Sequence, residues 1–170
     1  MSSLQLAPAT PAPVFRADAP GKSEALVFQL DGQEYGIALG CVQEIRSFQA
    51  PTRLAGASNF MLGVIDLRGV VVPLIDLRLR LGLPAATVDA FTVVIVVALG
   101  ERRIGIVADR VNDVVELLPG QIHAMPAMKG GPEQRHLVGI ASLEARTVVL
   151  TDIEALLSDT PAEAPLALAA

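Results

Sequence analysis

The chain has 170 residues, 52% of them hydrophobic and only 4% aromatic with no Trp, and it carries a formal net charge of −5. That length supports one medium domain or two small ones, and the acidic, aromatic-poor composition argues against the basic, stacking surfaces of nucleic-acid binders. No stretch reaches the roughly 18 consecutive apolar residues of a membrane helix, so the apolar surplus calls for a core and a partner surface.

Taken in order, Met1 to about Ser23 is rich in Ala, Pro and Ser with little to bury. Residues 1–23 are therefore expected to be a disordered lead-in, and 159–170 a tail of the same kind. The start lacks the charged and apolar regions of a signal peptide. Cys41 is the single cysteine and cannot form an intrachain disulfide. Both features fit a cytoplasmic protein.

The folded part opens with Leu26–Leu30, an Asp31-Gly32 turn and Tyr35–Leu39, a β-hairpin by its apolar runs and turn residues. A turn of helix is expected over Ala57–Met61. The stretch from Gly63 to Leu77 reads as two strands joined at Arg68-Gly69, where glycine permits φ > 0. Pro73 lacks a backbone donor and predicts an edge strand or a bulge. Asp76 is placed to cap a short helix, Leu77–Leu81, which Gly82 ends. Phe91–Leu99 is a buried strand, and Val93–Val97 with Ile104–Val107 forms a second hairpin around Leu99-Gly100-Glu101. Asp152 caps a last helix, Ile153–Leu157.

The second hairpin repeats the first. Gly36 and Gly105, Ile37 and Ile106, Val42 and Val111, and Ile45 and Val114 are each 69 positions apart. Gly63 and Gly139, Leu67 and Leu143, Asp76 and Asp152, and Leu77 and Ile153 are each 76 apart. The second unit therefore holds seven extra residues between Val114 and Gly139, expected in the loop Ala124–Pro132. The predicted fold is mainly β: two similar small five-stranded barrels, SH3-like or OB-like, packed together with a few short helices. The first barrel is expected at about 24–90 and the second at about 91–158.

The repeat singles out Arg68, because Glu144 stands at the matching position and Asp113 matches Glu44. One reading of Arg68 is a solvated turn residue; the other is an oriented guanidinium on a binding surface, held by Glu44 or by Asp66. Catalytic signals are weak. His123 and His136 lack companion ligands at metal spacing, Cys41 lacks a base partner, and Lys129-Gly130-Gly131 lacks the rest of a phosphate-binding loop. Asp109 and Asp113 read as a solvated face. No enzyme activity, metal or cofactor is expected.

Glu34–Ile37, Val42–Arg46, Gly63–Gly69, Val72–Arg78 and Gly105–Asp109 together resemble the CheW family of bacterial chemotaxis coupling proteins, over about 24–158. The resemblance implies two five-stranded barrels with an apolar groove between them. It implies a non-catalytic adaptor joining the histidine kinase CheA, through its regulatory domain, to the cytoplasmic tips of chemoreceptors. Ring assembly within receptor arrays and a cytoplasmic location at the membrane-associated array go with that role. It further implies receptor-binding roles for Arg68, Glu44, Val42, Gly63, Val111 and Val114, and a kinase-binding face at Ile45, Thr52 and Leu54. Asp66 departs from the asparagine common in the family, a second carboxylate within reach of Arg68. The same fold serving another chemosensory system, such as pilus-driven motility, is an alternative, and a β-barrel binding a small apolar ligand is a more distant one.

Overall fold

A computed structural model describes residues 23–84, 87–124 and 137–158. The expected lead-in up to residue 22, the whole tail 159–170, the 125–132 part of the loop and His136 lie outside the described residues. Strand β1 (Ser23–Leu30) turns into β2 (Gln33–Ala38) through Asp31 and Gly32, whose φ values of 52° and 80° suit the right-handed twist of a two-residue hairpin. A 3₁₀ turn at Leu39–Cys41 leads into β3 (Val42–Ser47). Next come β4 (Met61–Leu67), β5 (Val70–Asp76) and helix α1 (Leu77–Arg80). The second half contributes β6 (Val93–Leu99), β7 (Arg102–Ala108), β8 (Arg110–Leu117), β9 (Ile122–Ala124), β10 (Leu137–Leu143), β11 (Arg146–Thr151) and α2 (Ile153–Leu157).

The strands form a five-stranded sheet ordered β3-β6-β7-β5-β4 and a six-stranded sheet ordered β8-β1-β2-β11-β10-β9. Shifting the first order by the two sequence offsets gives β8-β1-β2-β11-β10, so the repeat governs the topology. Register follows as well. Leu74 faces Gly105 in the parallel β5–β7 ladder, and their counterparts Leu150 and Gly36 face each other in β11–β2. The irregularity between Val42 and Glu44 against β6 recurs between Val111 and Asp113, where β1 shifts between Val27 and Phe28.

The division at residue 90 does not survive. Strands β1 and β2 lie in the sheet built by β8 to β11, while β6 and β7 lie in the sheet built by β3 to β5. The physical reason is the parallel ladders. A parallel pair needs a long crossover, which a tight hairpin cannot supply, and exchanging hairpins between the halves supplies it. The expected count of five strands holds for one sheet; β9 adds a sixth to the other. Thr52, in a single bridge to Val64, stands where β9 pairs His123 with Ile140.

Asp76 accepts hydrogen bonds from the Arg78 and Leu79 amides at 3.0 and 3.3 Å, and Asp152 accepts one from Ala155 at 3.1 Å, as predicted for the two caps. Ala57–Met61 is not helical; Met61 instead opens β4 after a turn in which its amide donates to Ser58. Pro73 is not on an edge, because β5 lies between β4 and β7. The proline is tolerated there because Val64, its partner on β4, directs its own N–H and C=O to Thr52, and the β7 ladder begins only at Leu74.

Alternating side chains of the five-stranded sheet serve two cores. Ile75, Ile95, Ile104 and Ile106 join the main core with Leu26, Phe28, Leu30, Ile37, Leu150 and Leu156. Ile65, Leu67, Val72, Leu74, Val94, Val96 and Val107 form a smaller cluster on the other face. Arg78 ties the two sheets together. It is 12% exposed and donates to Asp109 at 2.6 Å and to the Pro84 carbonyl at 2.7 Å, and it lies 3.4 Å from Asp31 in the β1–β2 turn.

Candidate functional site

The β4–β5 turn consists of Arg68 and Gly69, with φ of 52° and 88°. Asp66 Oδ1 accepts the Gly69 N–H at 2.7 Å, which fixes the turn and occupies that carboxylate locally. The guanidinium is oriented by Glu44 instead: Arg68 Nη2 donates to Glu44 Oε2 at 2.5 Å, and Arg46 lies 3.6 Å from the other carboxylate oxygen. The hydrogen bond from Arg68 holds the Glu44 carboxyl below its usual range and Glu44 in turn raises Arg68, so both stay charged at neutral pH. The Arg68 side chain is 68% exposed, which leaves most of its donor fork open to a partner.

This pair also bears on the fold. Glu44 is on β3 and Arg68 beside β4, the two edges of the five-stranded sheet. The sheet is curled until its edges meet through side chains, with no hydrogen-bonded ladder between them among the described residues. The other sheet has a related contact made from a different position, on an interior strand instead of an edge. Asp113 on β8 pairs with Arg146 at the start of β11 at 2.9 Å, and Arg146 also donates to Glu34 at 2.7 Å. Arg146 holds Glu34 and Asp113 below the usual carboxylate range and is itself raised by them. Each sheet is thus an open, SH3-like barrel.

The other residues singled out in the sequence fall into three groups. Val42 and Val111 are half-buried, pseudo-equivalent and packed against the main core, and Leu54 packs there too. Ile45 and Val114, also pseudo-equivalent, are 44% and 48% exposed. Gly63 and Thr52 touch: a Cβ on Gly63, at φ 144°, would overlap the Thr52 carbonyl, and Gly139 meets the His123 carbonyl in the same way at 2.7 Å. Gly63 is therefore needed for close backbone approach whatever else it does.

Sequence reasoning missed Arg103, which lines a cavity of about 190 Å3 together with Arg68 and Glu44. The offset of 69 pairs Arg103 with Glu34 and would have pointed to Arg103, whereas the Arg146 bridge, also missed, has no such signal. Burial raises the Cys41 thiol, which disfavours the thiolate a nucleophile needs. Among the described residues no group of His, Cys, Asp and Glu is placed to hold a metal, and no helix is long and apolar enough to cross a membrane.

A pair of SH3-like β-units presenting an ordered guanidinium on a rigid turn defines an interaction domain. Residues 24–160 match the model of the CheW-like domain, and the chain belongs to that family. It is 44% identical to the chemotaxis protein CheW of Klebsiella aerogenes over 135 residues, covering 79% of this chain and 81% of that one. It is 35% identical to the chemotaxis protein CheW of Bacillus subtilis over 132 residues, covering 78% and 85%. The fold is that of the scaffolding protein TtCheW from Thermoanaerobacter tengcongensis, with a TM-score of 0.71 at 24% identity, covering 77% of this chain and 89% of that crystal structure.

Proposed function

We propose that this protein is a non-catalytic chemotaxis adaptor that couples the histidine kinase CheA to the cytoplasmic tips of chemoreceptors, and that it sits at the membrane-associated receptor array through those partners. The observation that carries the reading is Arg68. The pseudo-equivalent turn holds Glu144, so the fold does not require an arginine, yet the chain accepts a left-handed, non-glycine residue there and pins its side chain with Glu44. Strain kept at an exposed position whose side chain is oriented by a charge partner supports a binding role.

Arg68 and Glu44 form the centre of the receptor face, with Val42, Val111 and Val114 as its apolar contacts and Gly63 as the backbone support beside it. Ile45, Thr52 and Leu54 form the kinase face. An apolar surface alone would accept many helices; charges at its rim supply register and selectivity. The lead-in 1–23 and the tail 159–170 flank the binding domain at 24–158. The test is receptor pull-down and CheA binding by wild-type and Arg68→Glu protein. Loss of receptor capture with CheA binding intact supports the assignment. Equal capture by both proteins contradicts it.

A further inference from the structure

The mouth of the five-stranded barrel below Arg68 is a cavity of about 190 Å3 with a divided lining. Its floor includes Leu67, Val72 and Val96 of the smaller core. Its rim carries Glu44, Arg68 and Arg103, the last exposed on β7 opposite Ala98. Among the described residues no carboxylate pairs with Arg103, whereas Glu44 already serves both Arg68 and Arg46. The lining thus carries one acid and two arginines, a formal +1, with Arg46 beside Glu44 at 3.6 Å, on a chain whose net charge is −5.

The pseudo-equivalent surface has the opposite sign. Positions 44, 68 and 103 correspond to Asp113, Glu144 and Glu34, while Arg46 corresponds to Val115 and Val70 to Arg146. Three acids there face one arginine, a formal −2, and Arg146 is held between two of them. Two halves with the same backbone would offer a partner two docking orientations. Charges of opposite sign at equivalent places favour one and penalise the other.

We propose that the Arg68–Arg103 cavity receives a carboxylate side chain, Glu or Asp, from the partner segment that docks over this face, and that Arg103 is its second guanidinium ligand. This rests on the adaptor reading of the Arg68 site. The apolar floor accommodates the methylenes of the incoming side chain, while two guanidinium forks provide charge-assisted hydrogen bonds to its head. The negative surface at the pseudo-equivalent positions repels the same acidic segment and so sets its direction.

The test compares wild-type, Arg103→Glu and Arg103→Lys proteins for binding to a chemoreceptor cytoplasmic fragment and, separately, to CheA. The expected result is a loss of fragment binding of at least about tenfold for Arg103→Glu and a smaller loss for Arg103→Lys, with CheA binding and melting temperature unchanged. One Glu→Lys or Asp→Lys substitution in the fragment then restores binding to Arg103→Glu. Wild-type affinity in Arg103→Glu, or a loss that no such substitution repairs, overturns the proposal. If the wild-type protein itself fails to bind the fragment, the adaptor reading fails first. The cavity is then read by NMR of the Arg68 and Arg103 side chains during titration with a glutamate-bearing helical peptide and its glutamine counterpart. Shifts with the glutamate peptide alone sustain the cavity proposal, and equal or absent shifts overturn it.

Discussion

Arg68 sits in a backbone region that L-residues other than glycine, asparagine and aspartate avoid. Glycine there would relieve the strain. Arg68→Gly is therefore predicted to leave the melting temperature unchanged or raised while abolishing receptor coupling, a pairing that a structural role for the side chain could not produce. The Glu44 carboxyl is held low by Arg68, so the pair is intact above the ordinary carboxylate pKa of about 4 and breaks as pH falls through the lower folded value. Glu34 and Asp113 are held low in the same sense by Arg146. Arg146→Met is predicted to cost about 1 kcal/mol at neutral pH in urea unfolding, with the difference from wild type shrinking as pH drops below the ordinary carboxylate range. A penalty independent of pH would show that packing of the arginine stem, and not the bridge, is lost.

At the scale of strands and turns, Gly63 and Gly139 show how the repeat works. Each lets a crossing carbonyl, Thr52 or His123, lie against the strand where a side chain would block it. Gly63→Ala is predicted to destabilise the fold by about 3 kcal/mol, combining overlap with a poorly accessible φ, as a lowered urea midpoint will show. Weak receptor binding by that variant with undiminished stability would instead place Gly63 at the contact itself. The elements were largely legible in the sequence. Asp31-Gly32, Arg68-Gly69, the caps Asp76 and Asp152, and the offsets of 69 and 76 are local or periodic signals, and turn chemistry fixes them nearly alone. Of the two places expected for Pro73, an edge strand or a bulge, the edge is excluded; the register shift of β4 against β5 lies just beyond it, between Met61 and Gly63, and the β7 ladder starts one residue later. The Glu44–Arg68 pair was within reach of the repeat. The Arg78–Asp109 and Arg146–Glu34 bridges were not, since they join residues 31 and 112 apart with no local signature.

For the whole molecule, the exchange of hairpins makes one folding unit of two repeats. Residues 24–90 alone would lack β6 and β7, leaving β3 with no neighbour and β5 with β4 alone, so that fragment is predicted to be unfolded by circular dichroism while 24–158 folds cooperatively. Arg78 clasps the same junction: Arg78→Ala removes its hydrogen bonds to Asp109 and the Pro84 carbonyl and is predicted to cost about 1–2 kcal/mol, whereas lysine, a point charge without the fork, restores only part of it. The account stands most directly on CheA autophosphorylation measured with receptor-containing membranes, with and without this protein. It predicts strong stimulation that attractant suppresses and that Arg68→Glu abolishes without unfolding; no stimulation by folded protein with a matched kinase and receptor would contradict it.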